Sequence, residues 1–414
     1  MKILIINTSD IQGGAARAAY RLHKSLLVQN IDSQMLVQNK SSDDFTVIAD
    51  TSKISRAINK LRPTLDSIPI RFYKERTKTL FSPSWFGFNN IVDKINEINP
   101  DIVHLHWICG SMIKIEDLVR IKAPIVWSLH DNWAFTGGCH IMWKCEKYKN
   151  NCGSCPRLGS ENENDLSRKI FNRKQKTFSK ISNMTIIGLS EWLNECSKNS
   201  RLLKDKKHIN LPNPIDTNIF KPFDKEKSRE LWSLTKDKKL ILFGANSATS
   251  DINKGFKELS EAMKKLNKND NIEFVVFGSS TPKVSQNFGF KTHYLGHLHD
   301  DVSLVTLYSA VDVMVVPSLQ ENLSNAIMES LACRTPVVGF DIGGNSDMVE
   351  HKVNGYLAKP FDTSDLSNGI EWILNNENYD ELCQDAREKV LREFDSKLVA
   401  KKYIELYNSI LSHK

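Results

Sequence analysis

The sequence predicts an α/β protein of two consecutive domains, each built on a parallel sheet, and three observations carry that expectation. Short apolar, β-branched runs alternate with helical patterns along the first 210 residues. The alternation breaks at LPNPIDTNIFKPF, where Pro212, Pro214 and Pro222 exclude regular helix, and then it resumes. A length of 414 residues also exceeds what one core supports, since a domain takes roughly 150 residues.

In the first half the strand candidates are KILIINTS, DSQMLVQN, DIVHLHW, IVWSLHD and MTIIGLS. In the second they are KLILFGA, IEFVVFGS, THYLG, VDVMVVPS and TPVVGFD, separated by helical segments such as KGFKELSEAMKKL and ENLSNAIMESLAC. From Asp380 to Leu411 the pattern is amphipathic helix with no strand between, so this stretch is expected to pack on the outside of the domains. The expected boundaries are 1–210 for the first domain, 211–222 for a linker, 223–395 for the second domain and 396–414 for a terminal helix.

Hydrophobic residues at 40% and charged residues at 25% exclude a disordered or fibrous chain. The N-terminus runs directly into a strand pattern without a signal-peptide cleavage region, and no stretch reaches the ~18 uncharged apolar residues of a membrane span. A cytoplasmic protein is therefore expected, and in that reducing compartment clustered cysteines read first as metal binding or thiol chemistry. A net charge of +7, scattered and without a basic, aromatic-rich stripe, gives no reason to expect a nucleic acid partner. The segment 53–81 is locally basic: Lys53, Arg56, Lys60, Arg62, Arg71, Lys74, Arg76 and Lys78 interleave with Ile54, Ile58, Leu61, Ile68, Phe72, Leu80 and Phe81. It reads either as a dock for anionic lipid on the inner face of the cytoplasmic membrane or as a solvated helix pair.

Two groups of residues suggest chemistry. KILIINTS leads into Gly13, Gly14 and a run of small residues, where backbone N–H groups at a helix start can meet an anion; a structural tight turn is the alternative. In the second half VDVMVVPS leads to Glu321, Asn322, Leu323, Ser324 and, two turns into a helix, Glu329, followed by Thr335-Pro336-Val337-Val338 and Gly343-Gly344. A carboxylate in the loop above the sheet can accept hydrogen bonds from sugar hydroxyls, one on the helix can hold ribose hydroxyls, and the N–H groups between them face a diphosphate.

This second block resembles the donor site of the retaining GT-B glycosyltransferases of family 4, and the resemblance extends over almost the whole chain. It implies two facing Rossmann-like domains with a cleft between them, transfer of a hexosyl unit from a nucleotide-diphosphate sugar with UDP favoured over GDP, and no catalytic metal. Asp251-Ile252-Asn253-Lys254-Gly255 is similar to the family's Lys-Gly element, whose lysine meets the leaving phosphates; the arginine common before it is missing from Ala245 to Ser250. The block Trp127 to Gly138 contains the histidine, His130, that by resemblance contacts the transferred sugar. His104, His106, Trp107 and Asp131 are expected on the acceptor side. Lys254, Glu321 and His130 are thus the expected catalytic residues, with Gly13, Gly14, Asn322, Leu323, Ser324 and Glu329 on the donor.

Cys139, Cys145, Cys152 and Cys155 fall within seventeen positions, and the last two enclose the two-residue spacer of zinc knuckles. A structural zinc with a closed four-sulfur shell is expected, with free or redox-active thiols as the alternative. Relatives with the same His-Asp-Asn-Trp block resemble enzymes of surface-polysaccharide assembly, which implies a lipid-linked or oligosaccharide acceptor. An epimerase or hydrolase acting on the nucleotide sugar would use the same donor pocket, and a non-enzymatic zinc-containing binding protein is the reading from a different class.

Overall fold

A computed structural model describes residues 1–50, 52–87, 91–244, 250–267, 271–278, 289–298 and 300–412. The chain divides into two compact units, Met1–Pro214 with Val399–Lys414, and Ile215–Leu398.

The first unit carries seven strands: β1 (Lys2–Ser9), β2 (Asp32–Asn39), β3 (Val47–Ile48), β4 (Ile102–Leu105), β5 (Ile125–Leu129), β6 (Met184–Gly188) and β7 (Lys207–Asn210). Their order is β3-β2-β1-β4-β5-β6-β7 and every pairing is parallel. Strands covered by helices on both faces are mostly apolar, and the central ones read so, interrupted by His104 in β4 and Ser128 in β5. Ile3, Leu4, Ile5 and Ile6 of β1 are fully buried, and Leu4, Val103, Trp127 and Ile186 share a core with Phe171 and Phe178 of the helix Leu166–Phe178. That helix starts where Asp165 accepts the N–H of Arg168, a side-chain cap of the common kind.

The second unit carries β8 (Lys239–Gly244), β9 (Ile272–Phe277), β10 (Lys291–Tyr294), β11 (Val313–Val316), β12 (Val337–Phe340) and β13 (Gly355–Ala358). These run in the order β10-β9-β8-β11-β12-β13, again all parallel. Its core joins Phe243, Val276, Val315 and Phe340 to Leu259, Met263, Ile370 and Ile373 from the flanking helices.

In both sheets the strand order turns back beside the first strand, between β1 and β4 and between β8 and β11. Loops leaving the carboxyl ends of adjacent strands splay apart at such a point, which opens a crevice for ligand. The final helix, Ser396–Ser412, belongs mainly to the first unit and buries Val399, Tyr403 and Tyr407 almost completely.

Candidate functional site

In the second unit the structure brings three loops together at the carboxyl ends of β8, β11 and β12. Lys254 closes a short 3-10 turn, Ile252–Lys254, started by Asp251. Its Nζ lies 3.3 Å from Oε2 of Glu321, which also accepts the hydroxyl of Ser318 at 3.2 Å. The adjacent carboxylate raises the lysine's pKa, so the ammonium is held charged although only 27% of its side chain is exposed, against 15% for Glu321.

The backbone fixes this pair. Asn253 Nδ2 donates to the carbonyl of Gln320 at 2.8 Å, and Leu319 N–H donates to the carbonyl of Asn253 at 2.8 Å. Two glycines press on the same loop. Gly255 has φ 69°, and a Cβ there would lie 1.8 Å from the Pro317 carbonyl oxygen; Gly343 has φ 55°, and its Cβ would lie 1.9 Å from that of Glu321. Only glycine combines that left-handed backbone with such approach. Gly344 N–H then donates to the Glu321 carbonyl at 3.2 Å.

Asn322, Leu323 and Ser324 lead into the helix Asn325–Ala332, whose first turn carries no side-chain cap. Glu329, just over one turn in, is 4% exposed and accepts the hydroxyl of Tyr308 at 3.1 Å. The segment 245–249, where the family's arginine is missing, lies outside the described residues.

In the first unit the histidines stack along neighbouring strand ends. His106 Nδ1 and His130 Nε2 share a hydrogen bond of 2.8 Å, and burial lowers the pKa of His130 to about 4. Asp131 receives Trp107 Nε1 at 3.0 Å and Trp133 N–H at 2.8 Å, and it pairs with His140 Nδ1 at 2.6 Å. Burial works to raise its pKa, but His140 and these donors outweigh that and hold it low. Asp131 thereby links Trp107, Trp133 and His140 at the end of β5.

His104, expected on the acceptor side, lies inside the unit. It is fully buried, with Nδ1 on the Tyr407 hydroxyl at 2.7 Å and Nε2 on Ser128 at 2.8 Å, so neither ring nitrogen is available to a ligand. Burial depresses its pKa to about 3. His140, Ser128, Tyr403, Tyr407, Ser318 and Tyr308 were not singled out by sequence; His140, next to the first cysteine, had the nearest signal. Gly13 and Gly14 are exposed at the start of the helix Gly14–Val28, and the space that a side chain on Gly13 would fill is open.

Cys139, Cys145, Cys152 and Cys155 line one cavity of about 20 Å³, enough for one water-sized body. Gly137 N–H donates to Cys152 Sγ at 3.2 Å, and the N–H groups of Arg157 and Leu158 bond to Cys155. Burial nevertheless pushes the thiol of Cys152 up to about 12 and raises those of Cys139 and Cys155. Among the described residues no three His, Cys, Asp or Glu side chains are grouped so as to hold a metal ion.

Comparison with known proteins bears on this arrangement. Residues 224–391 match the family model of glycosyl transferases group 1. The chain is 24% identical over 363 residues to a putative colanic acid biosynthesis glycosyl transferase, WcaC, of Escherichia coli, covering 82% of each chain. Among solved structures it is similar to sucrose-phosphate synthase from Thermosynechococcus elongatus, with TM-score 0.70 and 17% identity over 100% of both chains. It is also similar to HepE of Anabaena, solved with UDP and glucose, with TM-score 0.65 and 15% identity over 99% of this chain and 100% of that one. Residues 224–391 are thus similar to the glycosyl transferases group 1, and the two parallel α/β units have the GT-B fold.

Proposed function

We propose that the protein moves a hexosyl unit, with retained anomeric configuration, from a UDP-sugar to a lipid-linked or oligosaccharide acceptor in surface-polysaccharide assembly. The observation that carries this reading is the Lys254–Glu321 pair, clamped by Gly255 and Gly343 at the carboxyl ends of β8, β11 and β12. A charged ammonium on a fixed loop is suited to the negative charge that develops on a departing diphosphate. On donor binding Lys254 exchanges Glu321 for phosphate oxygen, and Glu321 turns to sugar hydroxyls.

The N–H groups of Asn322, Leu323 and Ser324 approach the phosphates with the helix start behind them, and Glu329 takes the ribose. His130 contacts the transferred sugar from the N-terminal unit, where the acceptor is also presented, and the open space at Gly13, beside Gly14 at the helix start, takes an anion. The neutral form of His130, favoured by burial, lets its ring donate or accept without adding charge. No carboxylate is assigned as a nucleophile, so departure and attack proceed on one face of the sugar. The colanic acid relative supports a role in polysaccharide assembly, and the UDP in the HepE structure supports the donor base.

The test is a panel of UDP- and GDP-sugars, each scored for thermal stabilisation and for transfer to an undecaprenyl-linked acceptor. A donor present at a hundred times its dissociation constant adds ~2.7 kcal/mol of stability. Stabilisation by UDP-sugars and product that requires acceptor are expected. Product formed without acceptor would instead select the epimerase or hydrolase reading.

For the cysteine-lined cavity the proposal is a structural zinc on Cys139, Cys145, Cys152 and Cys155 that orders the loop and takes no part in the transfer. The N–H groups aimed at Cys152 and Cys155 favour the thiolates an ion requires. Since the sulfurs as described do not form a ligand shell, binding has to draw them together. Elemental analysis of the purified chain is expected to find one zinc per chain; a zinc-free, fully folded chain with all four thiols titratable refutes the proposal.

A further inference from the structure

The helix Lys53–Asp66 is built the wrong way round for a helix whose role is packing. Its buried positions are Asn59, Arg62 and Asp66, all polar. Each is tied inward by hydrogen bonds: Asn59 Nδ2 donates to the Gln38 carbonyl at 2.8 Å, Arg62 Nη1 to Gln38 Oε1 at 3.4 Å, and Asp66 accepts the N–H groups of Ser84 and Trp85 at 3.1 Å each. Its apolar side chains face out. Ile54 is 75% exposed and Leu61 59%, with Ile58 exposed between them. Spacings of four and seven residues put the three on one stripe.

The chain beyond the helix continues the pattern. Phe72 is 82% exposed, and Ile68, Leu80 and Trp85 are exposed as well. Through the same stretch Lys53, Arg56, Lys60, Arg71, Lys74, Arg76 and Lys78 are exposed cations, while Glu75 is the one exposed acid of residues 53–81. Folding explains the inward face by its hydrogen bonds but gives no reason for an outward stripe of isoleucine, leucine and phenylalanine, which costs free energy in water.

We infer that residues 53–85 form a docking surface for an anionic lipid bilayer, which the helix Lys53–Asp66 meets lying flat with Ile54, Ile58, Leu61 and Phe72 entering between headgroups. Charge complementarity selects this occupant. Two copies of the chain meeting here would oppose seven cations with seven. A nucleic acid would satisfy the cations but leave the apolar stripe in water. A bilayer with acidic headgroups accepts both, because cations rest at the headgroups while apolar side chains reach the acyl boundary. The mode is peripheral: no described helix is long and apolar enough to cross a membrane. The inference does not rest on the transferase reading, since lipid binding needs no sugar.

The test is co-sedimentation of the full chain with phosphatidylcholine vesicles, with and without phosphatidylglycerol, at low and high salt. Binding to the acidic vesicles is expected to be at least about tenfold tighter than to neutral ones and to weaken with salt, as several cations near a charged surface require. The double variant Leu61→Ser/Phe72→Ser is expected to lose about tenfold in vesicle affinity, as the loss of two inserting side chains implies. Its melting temperature is expected to be unchanged, because both side chains are exposed in the fold. Lys53→Gln/Lys60→Gln/Lys74→Gln is expected to remove the preference for acidic lipid. Equal binding to both vesicle types, binding untouched by either variant, or no sedimentation overturns the inference. So does a dimer in sedimentation velocity that Leu61→Ser breaks, which would assign the stripe to a second copy.

Discussion

The polar groups at the strand ends of the two units are handled in opposite ways. In the first, His104, Ser128, Tyr407 and Tyr403 bond to one another deep under the sheet, and Asp131 is shared between Trp107, Trp133 and His140. In the second, Lys254 and Glu321 meet at a longer 3.3 Å in partly exposed loops, and the precision lies in the backbone that carries them. A network whose members satisfy one another holds a shape, whereas a loosely paired charge on a rigid loop has an interaction to exchange for a ligand's. His130 stands between these cases: it is half-buried and bonded to His106, yet it follows β5, where loops open.

The largest effect that would sharpen the contrast is on turnover. Lys254→Ala is expected to lower the transfer rate on the order of a hundredfold to a thousandfold, as removal of a group stabilising developing charge does, while the melting temperature barely moves. A fall in melting temperature equal to that of a core variant would make the pair structural and erase the difference between the units. Gly343→Ala comes next. Left-handed backbone and a Cβ 1.9 Å from the Glu321 carbonyl are expected to cost on the order of 2–3 kcal/mol in urea unfolding and to weaken donor binding with it.

Tyr407→Phe tests the other unit. Leaving the His104 ring nitrogen without its buried partner is expected to cost about 1–3 kcal/mol of stability with no change in donor affinity. The last contrast is in pH. Burial depresses His23 to about 4, His104 to about 3 and His130 to about 4, so between those values and about 6.5 the unfolded chain binds protons that the folded chain does not. Stability is therefore full above about pH 6.5 and is lost on acidification below it, by at most about 1.4 kcal/mol per pH unit for each such histidine. Melting curves in which His104→Phe removes part of that slope would attribute it to this network.

The central strands of both sheets were legible because a strand covered on two faces is predominantly apolar, even where it carries His104 or Ser128. β3, β7 and β13 were not: Val47–Ile48 is two residues long, Lys207–Asn210 has one apolar residue and lies at a sheet edge, and Gly355–Ala358 offers four residues between turns. The carboxylate and lysine positions of the second unit were readable as a local motif, although Lys254 and Glu321 are 67 residues apart. Nothing local announced that Tyr407 would meet His104 across 303 residues, and so the bonds of His104 to Tyr407 and Ser128 could not be read from the sequence. The basic stretch after Lys53 was visible as composition. That its polar side would be the buried one could not be read from periodicity, which finds two faces without saying which is inside.

The return of the helix Ser396–Ser412 to the first unit has a consequence for biosynthesis. Tyr403 and Tyr407 complete a unit whose other residues end at Pro214, so on the ribosome that unit waits for nearly two hundred further residues before its last side chains arrive. The unit made second can close first, and a nonsense codon just before Tyr403 would damage the part of the protein translated earliest.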